Sequence, residues 1–310
     1  MIVSSLLRNK FESHEDYVQQ LVEENCLSSL NMFNWLIWFL CLAVIVTNIP
    51  LVNSRNSCDY SKKVIVISRG RSGSTYLTEV LARNILGTAL NEHQFGEILG
   101  TKSEQMAAKK DPQEIITRHL CSNDEHNNPY RGFKWKPYIW SDKYIRLLRF
   151  VAERKIPVVH NTRNPIDTFL SGLKHRNHTS GKVPAHCLAD DKECIAIALG
   201  AQRVHVDTHV LLGNLNDTIV ETLMTQKLLN KLGVHHLNIT YEEMIDPARK
   251  MDLWHRVFKF FEPRKRWVIT DLMVASQWIP TSSSLLKDKI ENYEEVKSAL
   301  KDTPFELFLH

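Results

Sequence analysis

Lys62-Lys-Val-Ile-Val-Ile-Ser-Arg-Gly-Arg-Ser-Gly-Ser-Thr-Tyr-Leu-Thr-Glu-Val-Leu-Ala-Arg-Asn-Ile-Leu86 reads as strand, tight loop and helix, and the rest of the chain can be placed around it. Val64 to Ile67 is an unbroken β-branched run, as suits a strand buried on both faces of a parallel sheet. Small residues follow. Gly70 and Gly73 permit backbone angles closed to other residues, and Ser72, Ser74 and Thr75 offer hydroxyls and N-caps. Leu77, Val80, Leu81 and Ile85 then fall on one face of a helix. Such a turn directs backbone N–H groups and the positive end of the helix dipole at one point, where Arg69 and Arg71 add full charges. The expectation is an anion site, for phosphate.

The nucleoside-triphosphate P-loop needs Gly, four residues, then Gly-Lys-Ser/Thr. Here only two residues separate Gly70 from the second glycine, Gly73, and no Lys follows it. That counts against a magnesium-nucleotide kinase or ATPase. An ordinary strand-to-helix turn is the other alternative, opposed by the two arginines that flank it.

Ser68-Arg-Gly-Arg-Ser-Gly-Ser-Thr75 resembles the 5′-phosphosulfate loop of the sulfotransferases, in particular the membrane-bound carbohydrate type. Val158-Val-His-Asn-Thr-Arg-Asn-Pro-Ile-Asp-Thr-Phe-Leu-Ser171 resembles that family's 3′-phosphate element, a strand, an Arg, then a Ser on the following helix. The resemblance covers residues 62 to about 300. It implies an α/β fold, a P-loop-like doubly wound parallel sheet flanked by helices. It also implies transfer of a sulfuryl group from 3′-phosphoadenosine 5′-phosphosulfate (PAPS) to a hydroxyl or amine of an acceptor, carbohydrate by family type, with no metal.

Composition reads as globular: 310 residues, 43% hydrophobic, can bury one large core or two small ones. A net charge of +4 with Lys and Arg dispersed gives nucleic-acid binding little support. None of the six cysteines forms a CxxC pair, and no Cys/His cluster has zinc-ligand spacing. Cys187 and Cys194 either close a small loop in an oxidising compartment or are buried free thiols.

The expected organisation is a polar tail over residues 1–30, a transmembrane helix over 31–52, a stem over 53–61 and a catalytic domain over 62–310. Asn25 to Ser54 holds no charged residue, and Trp35 to Val46 is continuously apolar, so with its flanks the segment is long enough to cross a bilayer. The charges around it give no support for a cytosolic N-terminus and lean slightly the other way: Arg8 and Lys10 stand among five acids before it, whereas Arg55, Lys62 and Lys63 follow it. Three acceptor sequons, at Asn177, Asn216 and Asn238, lie downstream and favour a lumenal domain. Resemblance to single-pass Golgi sulfotransferases tips the expectation to a Golgi membrane protein with a lumenal catalytic domain.

Further elements follow from pattern. A second strand is expected before Thr88 to Glu97, a third over Arg131 to Pro137 carrying Lys134 and Lys136 on one side, and a fourth over Ile156 to His160. Helices are expected over Tyr144 to Ala152, Pro165 to Leu173, Ile195 to Leu212, Asp217 to Leu232 and Asp252 to Phe261. A final strand, Val234 to Thr240, ends in Tyr241-Glu-Glu-Met, similar to a Tyr-Glu phrase of the family.

The resemblance implies that Arg71 neutralises the 5′-phosphate and bridging oxygen, with Arg69, Gly70, Ser72, Gly73, Ser74 and Thr75 completing the loop. Arg163 and Ser171 take the 3′-phosphate, a forked guanidinium and a hydroxyl brought together by the turn between strand and helix. The acceptor needs a base: Glu92 is the first candidate, His93 the second, and Glu97 is also in range of the argument. Lys134, or less favourably Lys136, reaches the sulfuryl group. Asp167 either orients Arg163 or is a first-turn helix acid. Two further readings stay open: a P-loop-type phosphotransferase, and a non-catalytic membrane-tethered protein that binds a glycan or nucleotide.

Overall fold

The computed structural model describes residues 59–60, 63–85, 95–99, 120, 131–136, 142–178, 187–200, 203–276, 278–279 and 285–309. The expected tail, apolar segment and most of the stem lie outside them. Among the described residues no helix is long and apolar enough to cross a membrane.

The chain alternates strand and helix. Strand β1 (Lys63–Ser68) leads into α1 (Ser74–Asn84); β2 (Phe95–Leu99) and β3 (Arg131–Lys136) precede α2 (Asp142–Glu153); β4 (Val158–Thr162) leads into α3 (Pro165–His178). Then come β5 (Cys187–Leu188), α4 (Lys192–Gly200), α5 (Thr208–Lys231), β6 (His236–Thr240), α6 (Tyr241–Ile245), α7 (Lys250–Phe261), α8 (Asp271–Val274), β7 (Trp278–Ile279) and α9 (Tyr293–Leu300). The main sheet has the order β2-β3-β1-β4-β6, parallel throughout, and β5 and β7 form a small antiparallel pair.

The β-branched run behaves as its composition dictates. All six residues of β1 are buried, and they alternate between two cores. Ile65 and Ile67 pack with Phe133, Trp135 and the apolar faces of α2 and α5; Val64 and Val66 pack with Leu77, Val80, Leu81, Trp254 and Phe258 of α1 and α7. Each such side chain contributes about 2 kcal/mol by burial, so β1 is the spine of the molecule. A third core joins α3, the start of α5 and α9 through Phe169, Leu170, Leu211, Leu215, Val296 and Leu300. The α/β expectation with helices on both sheet faces is met by the described residues.

Several boundaries differ from the sequence reading. The second strand begins at Phe95, later than expected, and it occupies the sheet edge with β3 between it and β1. Glu97 is therefore a mid-strand residue, paired in register with Lys134, and does not follow a strand end. The long helical stretch is interrupted at 203–207, and the expected break at 213–216 lies inside one 24-residue helix, α5. Asp207 explains the division, since its carboxylate accepts from the N–H groups of His209 and Val210 and starts α5 there. Asn177 to Cys194, expected as a loop, contains the end of α3, β5 and the start of α4.

The strand order sets where a ligand can lie. After β1 the chain moves toward β2, and after β4 it moves toward β6, so the two central strands send their following segments in opposite directions. Their carboxyl ends flank the switch point, where open α/β sheets form a crevice.

Candidate functional site: the loop after β1 and the turn after β4

The loop between β1 and α1 is held in an uncommon backbone conformation. Arg71 has φ 69° and Gly73 has φ 78°, both in the left-handed region. For an arginine that conformation stores strain, which the neighbours offset. Arg163 Nη1 donates to the Arg71 carbonyl at 2.9 Å, and Asn161 Nδ2 donates to the Ser72 carbonyl at 2.9 Å. Both come from the end of β4, so the second motif clamps the first. Gly73 is required twice over, because a Cβ there would lie 2.2 Å from the Tyr241 ring. Tyr241 in turn carries the Arg163 guanidinium 4.4 Å from its ring centroid.

Gly73 is also the N-cap of α1, and no side chain caps the helix. The serine and threonine caps read from sequence are thus replaced by a glycine in the left-handed region, so what the first turn can offer an anion is backbone N–H groups and the helix dipole.

The positive side chains converge here. Arg71 Nε donates to Ser171 Oγ at 3.0 Å, joining the two motifs across 100 residues. Burial, and secondarily the Arg163 charge, lower the Arg71 pKa from its usual value. Burial and then Arg71 likewise lower that of Lys136, at the end of β3. Three cations crowding one half-buried crevice is an arrangement that an anion relieves. Lys134, the lysine ranked first from sequence, sits two residues further from the carboxyl end of β3, in register with Val66. Lys136 is in electrostatic contact with Arg71 of the loop.

The crevice retains unsatisfied polar atoms. Ser68 Oγ, Asn161 Oδ1 and Arg163 Nε are buried with no hydrogen-bond partner among the described residues. Ser68, Asn161 and Arg163 line a cavity of about 20 Å³ beneath the loop, together with Arg69, Ser72 and Glu221.

Arg69 is engaged elsewhere. Its Nη1 lies 2.8 Å from Glu221 Oε2 on α5, a residue whose sequence context carries no signal of this role. Asp167 pairs with Lys289 at 2.7 Å, which settles it as a tie between α3 and the C-terminal segment. Asn164 caps α3 by accepting from the Ile166 N–H at 2.9 Å, and its own N–H donates to Glu242 Oε1 at 2.9 Å, giving the Tyr-Glu phrase a structural part. Glu92 and His93 lie outside the described residues. Among the described residues no group of three or more His, Cys, Asp or Glu can hold a metal ion.

Two sequons fall within regular structure. Asn216 is inside α5 with Thr218 buried, and Asn238 is on β6, where its Oδ1 meets His160 Nδ1 at 3.1 Å. Cys187 and Cys194 form a disulfide that closes the β5–α4 turn, with Cα atoms 5.5 Å apart. No family model matches the chain, and no curated protein matches it.

Proposed function

We propose that the protein is a PAPS-dependent sulfotransferase with a P-loop-like site, acting on a hydroxyl or amine of an acceptor that its family resemblance makes a carbohydrate. The observation that carries this reading is the convergence of Arg71, Arg163 and Ser171 from two motifs at the switch point, with a 3.0 Å bond between Arg71 and Ser171. The donor supplies the sulfuryl group and a phosphate leaving group. In a loose, in-line displacement the protein's work is to position the reactants and neutralise charge on the leaving oxygen.

The residues fit that work. Arg71 and the open N–H groups at the start of α1 suit the 5′-phosphate, and Arg163 with Ser171 suits a 3′-phosphate. A phosphate oxygen can replace the Arg71–Ser171 hydrogen bond without leaving either group buried and unpaired. Lys136, beside Arg71, is a candidate to meet charge on the transferring group while it is protonated, although burial and Arg71 lower its pKa. Glu92 and His93 are the proposed bases for the acceptor.

Binding of adenosine 3′,5′-bisphosphate to the full-length chain, followed by thermal shift against AMP and ATP, tests the donor assignment. The 3′,5′-bisphosphate alone should stabilise the protein, by about 2.7 kcal/mol at a hundredfold excess over Kd. Ser171→Ala should weaken it roughly tenfold, as expected for one lost hydrogen bond to a charged group. Arg163→Ala is a poorer probe, because Arg163 also clamps the Arg71 carbonyl. Equal stabilisation by ATP turns the assignment to a phosphotransferase, and none by any nucleotide leaves only the non-catalytic reading.

A Golgi membrane location with a lumenal catalytic domain belongs to the same proposal. The Cys187–Cys194 disulfide supports it, since such bonds persist in oxidising compartments.

A further inference from the structure

Glu221 projects from α5 to the phosphate-binding loop and is the partner of Arg69, at 2.8 Å with the two side chains 16% and 23% exposed. The residues are 152 positions apart, so the contact is made only by packing α5 against the sheet. Glu221 also lines the cavity with Ser72 and with Ser68, Asn161 and Arg163, the last three each holding a buried polar atom with no hydrogen-bond partner among the described residues. A carboxylate there takes up part of the positive charge that the loop otherwise presents to an anion.

We propose that Glu221 is a positioning residue of the anion site: ionised, it holds the Arg69 guanidinium on the α5 side of the loop, and protonated, it releases that guanidinium to the bound anion. Anion binding and protonation of Glu221 are then coupled. This rests on the reading of the loop as an anion site, and it adds the prediction that affinity depends on pH through a residue outside both motifs.

The surroundings set the window. Burial pushes the Glu221 carboxyl up to about 7, with Arg69 opposing and Asp217, one turn earlier on α5, reinforcing. From the end of β4, Arg163 and His160 also face the cavity. His160 is neutral above about 4, held there chiefly by burial, so it does not titrate in this range. A bound anion raises the proton affinity of Glu221 further, and linkage makes the effect reciprocal. Affinity is therefore level below about pH 7 and falls as pH rises above it. Loss of a proton from Lys136 would act in the same direction, so the variant below is needed to separate the two.

Inorganic sulfate is the probe, because its charge is constant over the range whereas a phosphate monoester titrates within it. Titration calorimetry on the full-length chain should give about 3–10-fold tighter binding at pH 6 than at pH 8.5. Glu221→Gln should flatten the profile at the tight, low-pH affinity, and Glu221→Asp should restore a slope. Arg69→Gln should flatten it at the weak affinity, which supplies a second approach if Glu221→Gln fails to fold. A flat wild-type profile, or a slope undiminished in Glu221→Gln, overturns the proposal. Absence of sulfate binding at every pH overturns it together with the anion-loop reading. A slope with no preference for adenosine 3′,5′-bisphosphate leaves the coupling standing and removes the sulfotransferase reading alone.

Discussion

Gly73 joins backbone conformation, packing and site in one residue. Its φ of 78° favours glycine, and the Tyr241 ring occupies the space where a Cβ would stand. Gly73→Ala therefore meets two separate costs: about 1 kcal/mol for the left-handed conformation, and displacement of an aromatic ring that supports Arg163. Denaturant unfolding should show a loss of about 2–4 kcal/mol. In a Tyr241→Ala background the same substitution should cost only about 1 kcal/mol, because the ring is gone. Equal costs in the two backgrounds would mean that the ring yields freely. Arg71 is the complementary case, a non-glycine at φ 69° held by bonds from the β4 end. Gly73 was legible as conformationally special, but the left-handed φ of Arg71 was not, nor were the partners, since Tyr241 and Arg163 reach the loop only through the fold.

Helices α3, α5 and α9 and the segment between α5 and the C-terminus show how elements hold the second motif in place. Ser171 is useful only if α3 keeps its angle to β4, and α3 is anchored at its first turn by Asp167 to Lys289, whose side chains are 18% and 4% exposed. Lys289 lies just before the bridge residue Ile290, which pairs with Val204 ahead of α5. Removing one partner of such a pair leaves a charge without compensation in a poorly solvated site. Lys289→Ala should destabilise the protein by about 3 kcal/mol and weaken adenosine 3′,5′-bisphosphate binding. Combining it with Asp167→Asn should recover part of the stability, as thermal unfolding can check. Unchanged stability in Lys289→Ala would show that water compensates Asp167. The sequence offered Asp167 as an orienter of Arg163 or a first-turn acid; nothing in the spacing indicated that it meets Lys289, because 122 residues separate them.

At the scale of the whole molecule the sheet order brings the two motifs together and leaves the β5–α4 turn as a separate, disulfide-closed feature. Closing a loop with seven residues of sequence separation corresponds to about 2.5 kcal/mol in the chain-entropy account. Cys194→Ser should lower stability by about 2 kcal/mol, and peptide mapping without reduction should recover Cys187 and Cys194 linked. Recovery of both as free thiols would remove the disulfide and the support it lends to a lumenal location. The sequence by itself determined the spine: a β-branched run buries on both faces, glycines mark the loop, and Asn-Pro starts α3, all interactions within a few residues of one another. It also carried Arg71, Arg163 and Ser171 as site candidates through their motifs. Only the tertiary structure decided which strand lies beside β1, that Lys136 stands against Arg71, and that Glu221 takes hold of Arg69. Those outcomes depend on strand order and on side chains meeting across 65 to 152 residues, and a contact made at that distance leaves no period or spacing in the chain.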